Sequence, residues 1–287
     1  MNTVKTGIVL EGGGMRGMFT AGVLDVLLDN NINVDGIIGV SAGALFGPNF
    51  FSLQKGRVIR YSKKYATDKR YISILNLILT GNAVSKRFAY YKVQRKLDPF
   101  DNETFKKTGK PFWAVATDVK TGKPKYFEIT DIDKDMEKLQ ATSALPLSSR
   151  MVKESGNKYL DGAFSDPLPL KFMEDVGFDK IIVVLTQPIK YRKKQFDDKK
   201  LKMIRFAYRH YPNFLKAVDD WPKNYNDTIE RIIDLENKKE IFVIRPHKKI
   251  WVNLIERDQN KLQSIYDMGV SDTLKVINDL KQYLMVK

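Results

Sequence analysis

The stretch Glu11-Gly12-Gly13-Gly14-Met15-Arg16-Gly17, followed by Gly39-Val40-Ser41-Ala42-Gly43, decides which fold this chain can adopt. The second segment has the GxSxG pattern of a nucleophile elbow, in which a serine lies at a sharp turn between a strand and a helix. Glycines two positions before and two positions after the serine, here Gly39 and Gly43, relieve the crowding of that turn. The pattern therefore predicts an α/β fold in which Ser41 is a candidate acyl-transfer nucleophile.

The residues on both sides of Ser41 support this placement. Residues 37–40 form a short apolar run typical of a buried strand, and the chain from Ala42 onward has helical composition. Because glycine, serine and alanine are common, a GxSxG match by itself also arises by chance in a packed α/β core. Pro48 lies shortly after the elbow, and its fixed φ and missing N–H predict that the elbow helix is kinked or shortened.

The glycine run Gly12–Gly17 also fits GxGxxG, the pattern of a dinucleotide site, and it follows an apparent strand over residues 7–10. A Rossmann unit needs an acidic residue at the end of its second strand, but that strand ends here in Val40-Ser41, and Asp35 lies at its other end. A phosphate-binding loop of the Walker type would need a lysine and a hydroxyl residue where Met18-Phe19 occur. Neither nucleotide interpretation fits well.

Backbone N–H groups of the glycine run can instead bind an oxyanion. They lie at the start of a helix predicted over residues 15–28, and each donor aimed at a tetrahedral intermediate lowers a barrier by about 3 kcal/mol. Arg16 adds positive charge beside them, although an ordinary exposed arginine in a first helical turn is the alternative interpretation. The candidate oxyanion and substrate-binding residues are Gly12, Gly13, Gly14, Met15, Arg16 and Gly17.

A serine nucleophile needs a base, and the chain contains two histidines, His210 and His247. His247 follows an apparent strand over residues 241–244, so the order Ser41, an aspartate, His247 matches the triad of α/β-hydrolases. In that fold, however, the elbow normally follows several strands, whereas a single strand precedes the strand of this elbow. A surface position is the better interpretation of both histidines.

Asp161 is the alternative base. It ends a short apolar stretch, and the chain turns abruptly at Asp161-Gly162. An Asp-Gly pair is often only a hairpin turn, and Asp35-Gly36 shows that this chain has such a pair without evident chemistry. Spacing alone does not favour Asp161 as a base over Asp161 as a turn residue.

Three motifs in order, Glu11–Gly17 (EGGGMRG), Gly39–Gly43 (GVSAG) and Leu160–Ala163 (LDGA), strongly resemble the signatures of the bacterial patatin-like phospholipases. The resemblance continues through residues 116–122 and 141–146 and extends close to the C terminus. It implies a three-layer α/β/α fold with a mainly parallel central sheet and C-terminal helices.

The resemblance also implies roles for the site residues. Ser41 would be the nucleophile, Asp161 its base, and the backbone of Gly12–Gly14 the oxyanion hole. The residues that complete these motifs are Gly39, Ala42 and Gly43 at the elbow and Gly162 and Ala163 after the aspartate. A dyad of this kind implies hydrolysis of a phospholipid or other lipid ester through an acyl-enzyme, with no cofactor and no metal ion.

Hydrophobic patterning predicts the remaining elements. Strands are expected over residues 7–10, 37–40, 112–117, 124–129, 181–185 and 241–244, with helices between many of them. This alternation predicts a mainly parallel sheet covered on both faces. Two further helices are expected near residues 258–268 and 270–284. We therefore expect a hydrolase domain over residues 1–250 and a C-terminal helical extension over residues 251–287 that packs on it.

The chain of 287 residues carries a formal net charge of +15, concentrated in Lys190–Lys216. Leu201, Ile204 and Tyr208 have helical spacing there, which predicts a basic amphipathic helix suited to anionic lipid at the inner face of a membrane. A solvated basic face over a core-facing stripe explains the pattern equally well. Because no cysteine is present and the first strand begins near Gly7, a cytoplasmic location is expected.

Three functional hypotheses stay open at this stage. The first is a serine acyl hydrolase acting on phospholipids, lysophospholipids or related esters. The second is a catalytically silent basic protein of the same fold that binds lipid or nucleic acid, and the third is an esterase with a Ser41–Asp–His247 triad. Nucleic acid is not expected as a partner, since no nucleic-acid motif accompanies the charge and such binding would leave the three motifs unexplained.

Overall fold

An eight-stranded sheet forms the centre of the structure. The computed structural model describes residues 4–253 and 256–286, so residues 1–3, 254, 255 and 287 of the two predicted domains lie outside the described residues. The strands are β1 (Thr6–Leu10), β2 (Gly36–Val40), β3 (Phe112–Asp118), β4 (Pro124–Glu128), β5 (Val152–Glu154), β6 (Asn157–Asp161), β7 (Lys180–Val184) and β8 (Phe242–Ile244). The α-helices are α1 (Gly17–Asp29), α2 (Ala42–Phe46), α3 (Pro48–Phe51), α4 (Arg57–Tyr65), α5 (Ile74–Thr80), α6 (Asn102–Lys107), α7 (Met136–Thr142), α8 (Leu170–Asp175), α9 (Asp198–Ala207), α10 (Pro212–Asn237) and α11 (Gln259–Met285).

Both faces of the central strands are buried. In β1, Ile8 and Leu10 pack into one apolar core and Val9 packs into a second core on the opposite face. The first core contains side chains of α1, α4 and α11, and the second contains side chains of α8 and α10. Strands covered on both faces consist of continuous apolar runs, which is the pattern of residues 37–40 and 181–185. The structure thus has the predicted three-layer α/β/α architecture.

The sheet is mainly parallel, as predicted. Its order is β5-β6-β3-β2-β1-β7-β8, with β4 also paired to β3. Strands β3, β2, β1, β7 and β8 run parallel to their neighbours in this order. Antiparallel pairing joins β4 and β6 to β3, and β5 to β6. The strand-helix alternation of the sequence is typical of the parallel part, whose strands need crossover connections.

Strand β3 has three partners, and this brings two strand ends together. Because β4 pairs with residues 113–117 along one edge of β3, strands β2 and β6 share the other edge. Val40, the last residue of β2, lies opposite Val115, and Asp161, the last residue of β6, lies opposite Ala116. Since β2 is parallel and β6 antiparallel to β3, the carboxyl ends of β2 and β6 face each other.

The six predicted strands are confirmed with small shifts in their bounds, but the sequence analysis did not assign β5 and β6. Both strands are short. Because β5 has no buried residue, its sequence does not form an apolar run. The hairpin turn between them contains Gly156, whose φ is 81°. Asp161-Gly162 is therefore not a hairpin turn, because it leads from β6 into a 3₁₀ turn over Gly162–Phe164.

The break predicted at Pro48 is confirmed. Helix α2 ends at Phe46, and Pro48 is the first residue of the separate helix α3. Proline is favoured at a first helical position because it has no N–H to leave unpaired there.

The C-terminal helices predicted over 258–268 and 270–284 are one continuous helix, α11, so that prediction is wrong. Gly269 lies inside α11 because the helix crosses α1 at van der Waals contact: a Cβ on Gly269 would lie 2.2 Å from the carbonyl oxygen of Phe19. Gly22 of α1 contacts α11 in the same way, and a Cβ there would lie 2.3 Å from the carbonyl oxygen of Tyr266. The division of the chain near residue 250 stays a prediction.

The single basic amphipathic helix predicted within Lys190–Lys216 is also wrong. The segment contains an irregular stretch, helix α9, a turn around Tyr208 and the start of α10 at Pro212. Pro212 disfavours helical geometry at the residue before it, so α9 and α10 do not join. Within the stripe, Ile204 and Tyr208 are buried and Leu201 packs against the same apolar cluster, so the stripe faces the core, as the alternative interpretation expects. In the two described ranges, no helix has both the length and the apolar character of a membrane span.

Candidate active site

Ser41 lies at a strained turn between β2 and α2. Its φ is 53° and its ψ is −120°, a conformation that is costly for any residue with a Cβ and that is found where function or packing requires it. The neighbouring glycines are required by space: a Cβ on Gly39 would lie 2.5 Å from the amide nitrogen of Ala44, and one on Gly43 would lie 2.5 Å from the carbonyl oxygen of Leu10. The strand-turn-helix geometry predicted for GxSxG is therefore present.

Asp161 lies at the end of β6, where the shared edge of β3 brings it to Ser41. Its side chain is buried, and its Oδ1 accepts a hydrogen bond of 2.9 Å from the amide of Ala163. Its Oδ2 is buried and has no hydrogen-bond partner among the described residues. Burial raises the pKa of Asp161 to about 6, and the Ala163 amide and the Ser41 side chain oppose this shift. A carboxylate with this pKa is a stronger base than an exposed aspartate.

Thr142 positions the elbow, although the sequence analysis assigned it no role. It is fully buried at the end of α7, and its hydroxyl accepts a hydrogen bond of 2.9 Å from the amide of Ser41. The bond links the elbow to α7, a helix that also packs on β3 and β6. Thr142 lies within residues 141–146, which share the resemblance described above, but that resemblance did not indicate this hydrogen bond.

The glycine loop lies beside Ser41. A Cβ on Gly12 would lie 3.0 Å from the Cβ of Ser41, and Gly14 has a φ of 56°, which begins the 3₁₀ turn Gly14–Arg16. Within residues 4–253 and 256–286, the amides of Gly13 and Gly14 donate to no acceptor, whereas the amide of Arg16 donates to the carbonyl of Gly13. Free amides next to a nucleophile are suited to stabilising an oxyanion.

Ser41 and Gly14 line two cavities that meet at the elbow. We name the first the apolar cavity, and its apolar lining includes Leu45, Phe46, Ile72, Phe100, Ile132, Met136 and Leu139. Arg57 is a charged residue of the same lining. It is buried and donates hydrogen bonds to Asn49, Gln94 and the carbonyl of Asp98. Pro48 and Asn49 also line it, so the interruption of the elbow helix shapes this cavity.

We name the second the cationic cavity. Its lining includes Glu11, Gly12, Gly13, Arg16, Asp161, Phe164, Lys193, Phe196, Lys200, Trp221 and Tyr225. Glu11 is buried, accepts hydrogen bonds from the hydroxyls of Thr186 and Tyr225, and so fixes the start of the glycine loop. The three cationic residues come from the glycine loop, the irregular stretch before α9, and α9 itself.

The structure distributes the other predicted site residues unequally. Met15 and Ala42 line the apolar cavity, and Ala163 lies beside Asp161 in the cationic cavity. Gly17 contacts the ring of Phe46 and lines neither cavity. Gly162 packs against the backbone of Val115, where a Cβ would lie 2.2 Å from the carbonyl oxygen.

His247 lines neither cavity. Its Nδ1 lies 2.8 Å from the carboxylate of Asp272 on α11, and half of its side chain is exposed. His210 is exposed in the turn between α9 and α10. Neither histidine is placed next to Ser41 by this structure.

Lys193, Trp221 and Tyr225 belong to the site region but were missed by the sequence analysis. Lys193 lies in a run of basic residues that resembles a solvent-exposed face, so the sequence does not distinguish it from its neighbours. Only its contacts in the structure do so. Aromatic residues such as Tyr191 and Phe196 lie among the basic residues of this segment, and they are a signal that the sequence does offer. Trp221 and Tyr225 lie on α10, far along the chain from every recognised motif.

Two described protein families match different parts of the chain. Residues 8–173 match the family described as Patatin-like phospholipase, and residues 211–285 match a Domain of unknown function (DUF6363). The uncharacterized protein YjjU of Escherichia coli strain K12 is 27% identical over 260 residues, which are 86% of this chain and 70% of that protein. Neuropathy target esterase sws of Drosophila melanogaster is 26% identical over 183 residues, which are 62% of this chain and 12% of that protein.

Two further proteins show the range of the similarity. An uncharacterized NTE family protein of Mycobacterium tuberculosis is 24% identical over 180 residues, which are 63% of this chain and 48% of that protein. The crystal structure of VipD from Legionella pneumophila aligns with 96% of this chain and 67% of its own, with a TM-score of 0.47 and 11% identity. The chain thus spans less than half of the length of several relatives that it matches.

The family match covers more than half of the chain and includes all three motifs. It spans the glycine loop, the elbow and Asp161, the elements that the sheet brings to one place, and it confirms the resemblance seen in the sequence. At the level of the family it supports lipid ester hydrolysis. The chain therefore belongs to the patatin-like phospholipase family.

Proposed function

We propose that this protein is a serine acyl hydrolase that cleaves carboxylic esters of phospholipids, lysophospholipids or related lipids with a Ser41–Asp161 dyad. The observation that supports the proposal is that the carboxyl ends of β2 and β6 meet on one edge of β3, because the strained Ser41 follows β2 and the buried Asp161 ends β6. The apolar cavity that opens at Ser41 supports an acyl chain as the part of the substrate next to the ester.

The reaction follows from the groups present. Ser41 Oγ attacks the ester carbonyl carbon while Asp161 takes the hydroxyl proton, and the amides of Gly13 and Gly14 donate to the resulting oxyanion. When the tetrahedral intermediate collapses, the C–O bond to the leaving alcohol breaks and Asp161 returns the proton to that alcohol. Water then attacks the acyl-Ser41 ester with Asp161 again as base. A second collapse releases the fatty acid and restores Ser41.

The raised pKa of Asp161 supports its role as the base. Proton transfer from a serine hydroxyl to a carboxylate is uphill, and it becomes less so as the carboxyl pKa rises. Burial of Asp161 raises that pKa to about 6, while the group is still ionised at neutral pH. A histidine is not required between the two residues.

We further propose a cytoplasmic protein that makes peripheral contact with anionic membranes. Helix α5 supports this proposal: Leu75, Ile78 and Leu79 are between 62% and 74% exposed on it. The helix lies between two chain segments, around Ile72 and Val84, that line the apolar cavity and form a β-bridge with each other. Exposed apolar side chains beside an apolar cavity suit a protein that draws its substrate from lipid. The exposed lysines of Lys190–Lys216 would add attraction to anionic headgroups.

A fluorescent fluorophosphonate tests the proposed nucleophile directly. It should label the wild-type protein at Ser41 and leave a Ser41→Ala variant unlabelled, with the modified peptide identified by mass spectrometry. Absence of labelling in a folded wild-type protein would favour the alternative of a catalytically silent lipid-binding protein. Labelling that is lost in a His247→Ala variant would favour the alternative triad.

A further inference from the structure

The apolar cavity contains a group of polar residues that lies away from Ser41. We name this group the polar cluster, and its members are Asn49, Arg57, Tyr61, Tyr71 and Gln94. Helix α2 begins directly after Ser41, Gly47 continues it with helical dihedral angles, and Asn49 follows in α3. Because a helix rises about 1.5 Å per residue, Asn49 lies roughly 10 Å from the nucleophile along this path. The polar cluster is therefore distant from the ester bond that Ser41 would attack.

Arg57 brings a positive charge to the polar cluster. Its side chain is 1% exposed, and its Nε lies 3.4 Å from the carboxylate of Asp98. The same carboxylate accepts two hydrogen bonds of 2.8 Å from Arg60, so one carboxylate serves two guanidinium groups. Among the described residues that line the apolar cavity there is no aspartate or glutamate. The polar cluster thus carries an excess of positive charge.

Tyr61 and Tyr71 add two hydroxyl donors to the polar cluster. Tyr61 lies on α4 one turn after Arg57, the residue is 3% exposed, and its ring centroid is 5.3 Å from the guanidinium carbon of Arg57. Burial raises the pKa of Tyr61 to about 12 and also raises the pKa of Tyr71, so both phenols stay protonated at neutral pH. Within residues 4–253 and 256–286, neither hydroxyl has a hydrogen-bond partner, whereas the nearby Tyr90 hydroxyl lies 2.8 Å from that of Ser143.

These groups indicate an acceptor that enters the cavity. Buried hydroxyl groups nearly always have a hydrogen-bond partner, and two phenols of the polar cluster have none in the part of the chain that the structure describes. Arg57 contributes a further donor, because its Nη1 carries two N–H groups and donates only to Asn49. Each of these three groups can donate, and a guanidinium group cannot accept. The missing ligand atom is therefore an oxygen that accepts hydrogen bonds.

We infer that the polar cluster binds an acceptor oxygen carried by the acyl chain far from the ester, so that this hydrolase prefers oxygenated acyl esters over unsubstituted acyl esters of the same length. The inference rests on the proposed function, because it specifies the acyl group that the Ser41–Asp161 dyad would release. The first part of the chain contacts apolar side chains, which include Leu45 and Phe46 of α2. The oxygen then lies among Arg57, Tyr61 and Tyr71.

The cost of leaving donors unpaired gives the preference its physical basis. A bound water can pair with the phenols while the cavity is empty, and an acyl chain that reaches the polar cluster displaces it. A plain alkyl chain then leaves buried donors without acceptors, whereas a chain with a carbonyl or hydroxyl oxygen restores the hydrogen bonds. Sites built to hydrogen-bond a substrate group discriminate strongly against analogues that lack the group.

The test uses p-nitrophenyl esters of three acids with the same chain length: octanoate, 7-oxooctanoate and 4-oxooctanoate. The two ketones differ only in the position of the acceptor oxygen. We expect kcat/KM of the wild-type protein to be at least about threefold higher for 7-oxooctanoate than for octanoate, mainly through KM, because the hydrogen bond is present in the ground state as well. The 4-oxo ester should show no such gain, since its ketone lies among apolar side chains.

Two conservative variants assign the effect to the polar cluster. Tyr61→Phe and Tyr71→Phe each remove a hydroxyl and keep the ring, and each should lower the ratio of kcat/KM for 7-oxooctanoate to kcat/KM for octanoate by about 3- to 10-fold. The intrinsic reactivities of the esters cancel in this comparison. The matched control is Tyr65→Phe, because Tyr65 is a buried tyrosine of the same helix that lines neither cavity. It should leave the ratio unchanged.

An unchanged ratio in both Tyr61→Phe and Tyr71→Phe would overturn the inference and would assign the two phenols to bound water only. An equal loss on all three esters would also overturn it, because a purely structural role produces that result. An equal gain for both ketones in the wild-type protein would contradict the position of the oxygen. A lower ratio in a single variant supports the inference and identifies the hydroxyl that binds. All of these outcomes leave the proposed hydrolase intact.

If the wild-type protein hydrolyses none of the three esters, the proposed function fails and the polar cluster is tested by binding. Calorimetry on a Ser41→Ala background should then show tighter binding of methyl 7-oxooctanoate than of methyl octanoate. Adding Tyr61→Phe and Tyr71→Phe together should remove the difference. Equal affinities for the two methyl esters in Ser41→Ala would contradict the inference independently of catalysis.

Discussion

The phenol of Tyr225 donates a hydrogen bond of 2.8 Å to the carboxylate of Glu11, which joins helix α10 to the first residue of the glycine loop. Both groups are buried, and Glu11 is further held by Thr186 at the end of the strand next to β1. The geometry of the glycine loop thus depends on a helix that lies outside the patatin match, within residues 211–285. Contacts of this kind make the C-terminal part of the chain a component of the candidate site.

Replacing either dyad residue should abolish ester hydrolysis. We expect Ser41→Ala and Asp161→Asn each to lower kcat/KM by at least about 10³-fold, because one removes the nucleophile and the other its base. Release of fatty acid from a defined lipid measures this. The matched control is His247→Ala, which should retain activity since His247 bonds to Asp272 and lines neither cavity. Retained activity in Asp161→Asn would exclude the dyad.

Activity should rise with pH around the pKa of Asp161. Burial raises that pKa to about 6, and the base has to be ionised, so kcat/KM should increase about tenfold per pH unit below pH 6 and level off above about pH 7. A neutral ester substrate keeps the substrate's own ionisation out of the profile. An acid limb with a midpoint near pH 4 would show that the base is not desolvated during turnover.

Asp161→Asn should be more stable than the wild-type protein at neutral pH. Burial raises the pKa of Asp161 in the folded state above its ordinary value of 3.8, so ionisation destabilises the folded state as the pH rises from about 4 to about 6. The substitution removes this penalty, which amounts to at most about 3 kcal/mol at pH 8 and vanishes at pH 3. Urea unfolding of both proteins at the two pH values measures the difference. An equal difference at both pH values would contradict the assigned cause.

The contact between α1 and α11 should not tolerate a methyl group. Gly269→Ala places a Cβ against the carbonyl oxygen of Phe19, and because that contact is with backbone the helices have to separate. We expect a loss of about 1–3 kcal/mol in unfolding free energy, despite the gain in helix propensity that alanine brings. Thermal unfolding measures it. Ser271→Ala, on an exposed position of the same helix, serves as the control and should be neutral or slightly stabilising.

Helix α5 should contribute to binding of anionic vesicles. Replacing Leu75, Ile78 and Leu79 together by serine removes exposed apolar surface and should weaken vesicle binding at least about tenfold in a sedimentation assay. Labelling of Ser41 by a small water-soluble fluorophosphonate should persist, because that probe does not require a membrane. Leu274→Ser changes an exposed leucine of α11 and controls for general apolarity. Equal binding of the triple variant and the control would place the membrane contact elsewhere.

Six of the eight strands, the elbow and the break at Pro48 could be predicted because each depends on residues adjacent in sequence. A buried parallel strand is a continuous apolar run, and a nucleophile elbow needs small residues at fixed offsets from Ser41. The two incorrect helix predictions have a common cause. The structural effect of Gly269 and of the apolar stripe around Tyr208 depends on which element packs against them. The spacing of residues in the local sequence does not indicate that element.

The sequence by itself determined the family, the nucleophile motif and the alternation that produces a three-layer fold. Only the tertiary structure decided that Ser41 and Asp161 meet, because their approach depends on β2 and β6 sharing one edge of β3. The tertiary structure also decided that Lys193, one residue of a basic run, lines a cavity, where its ammonium group contacts the rings of Trp221 and Tyr225 on α10. Sequence motifs reflect steric requirements among neighbouring residues, so they can be recognised in the sequence. Cavities depend on how segments that are distant in sequence pack together, so no single stretch of sequence predicts them.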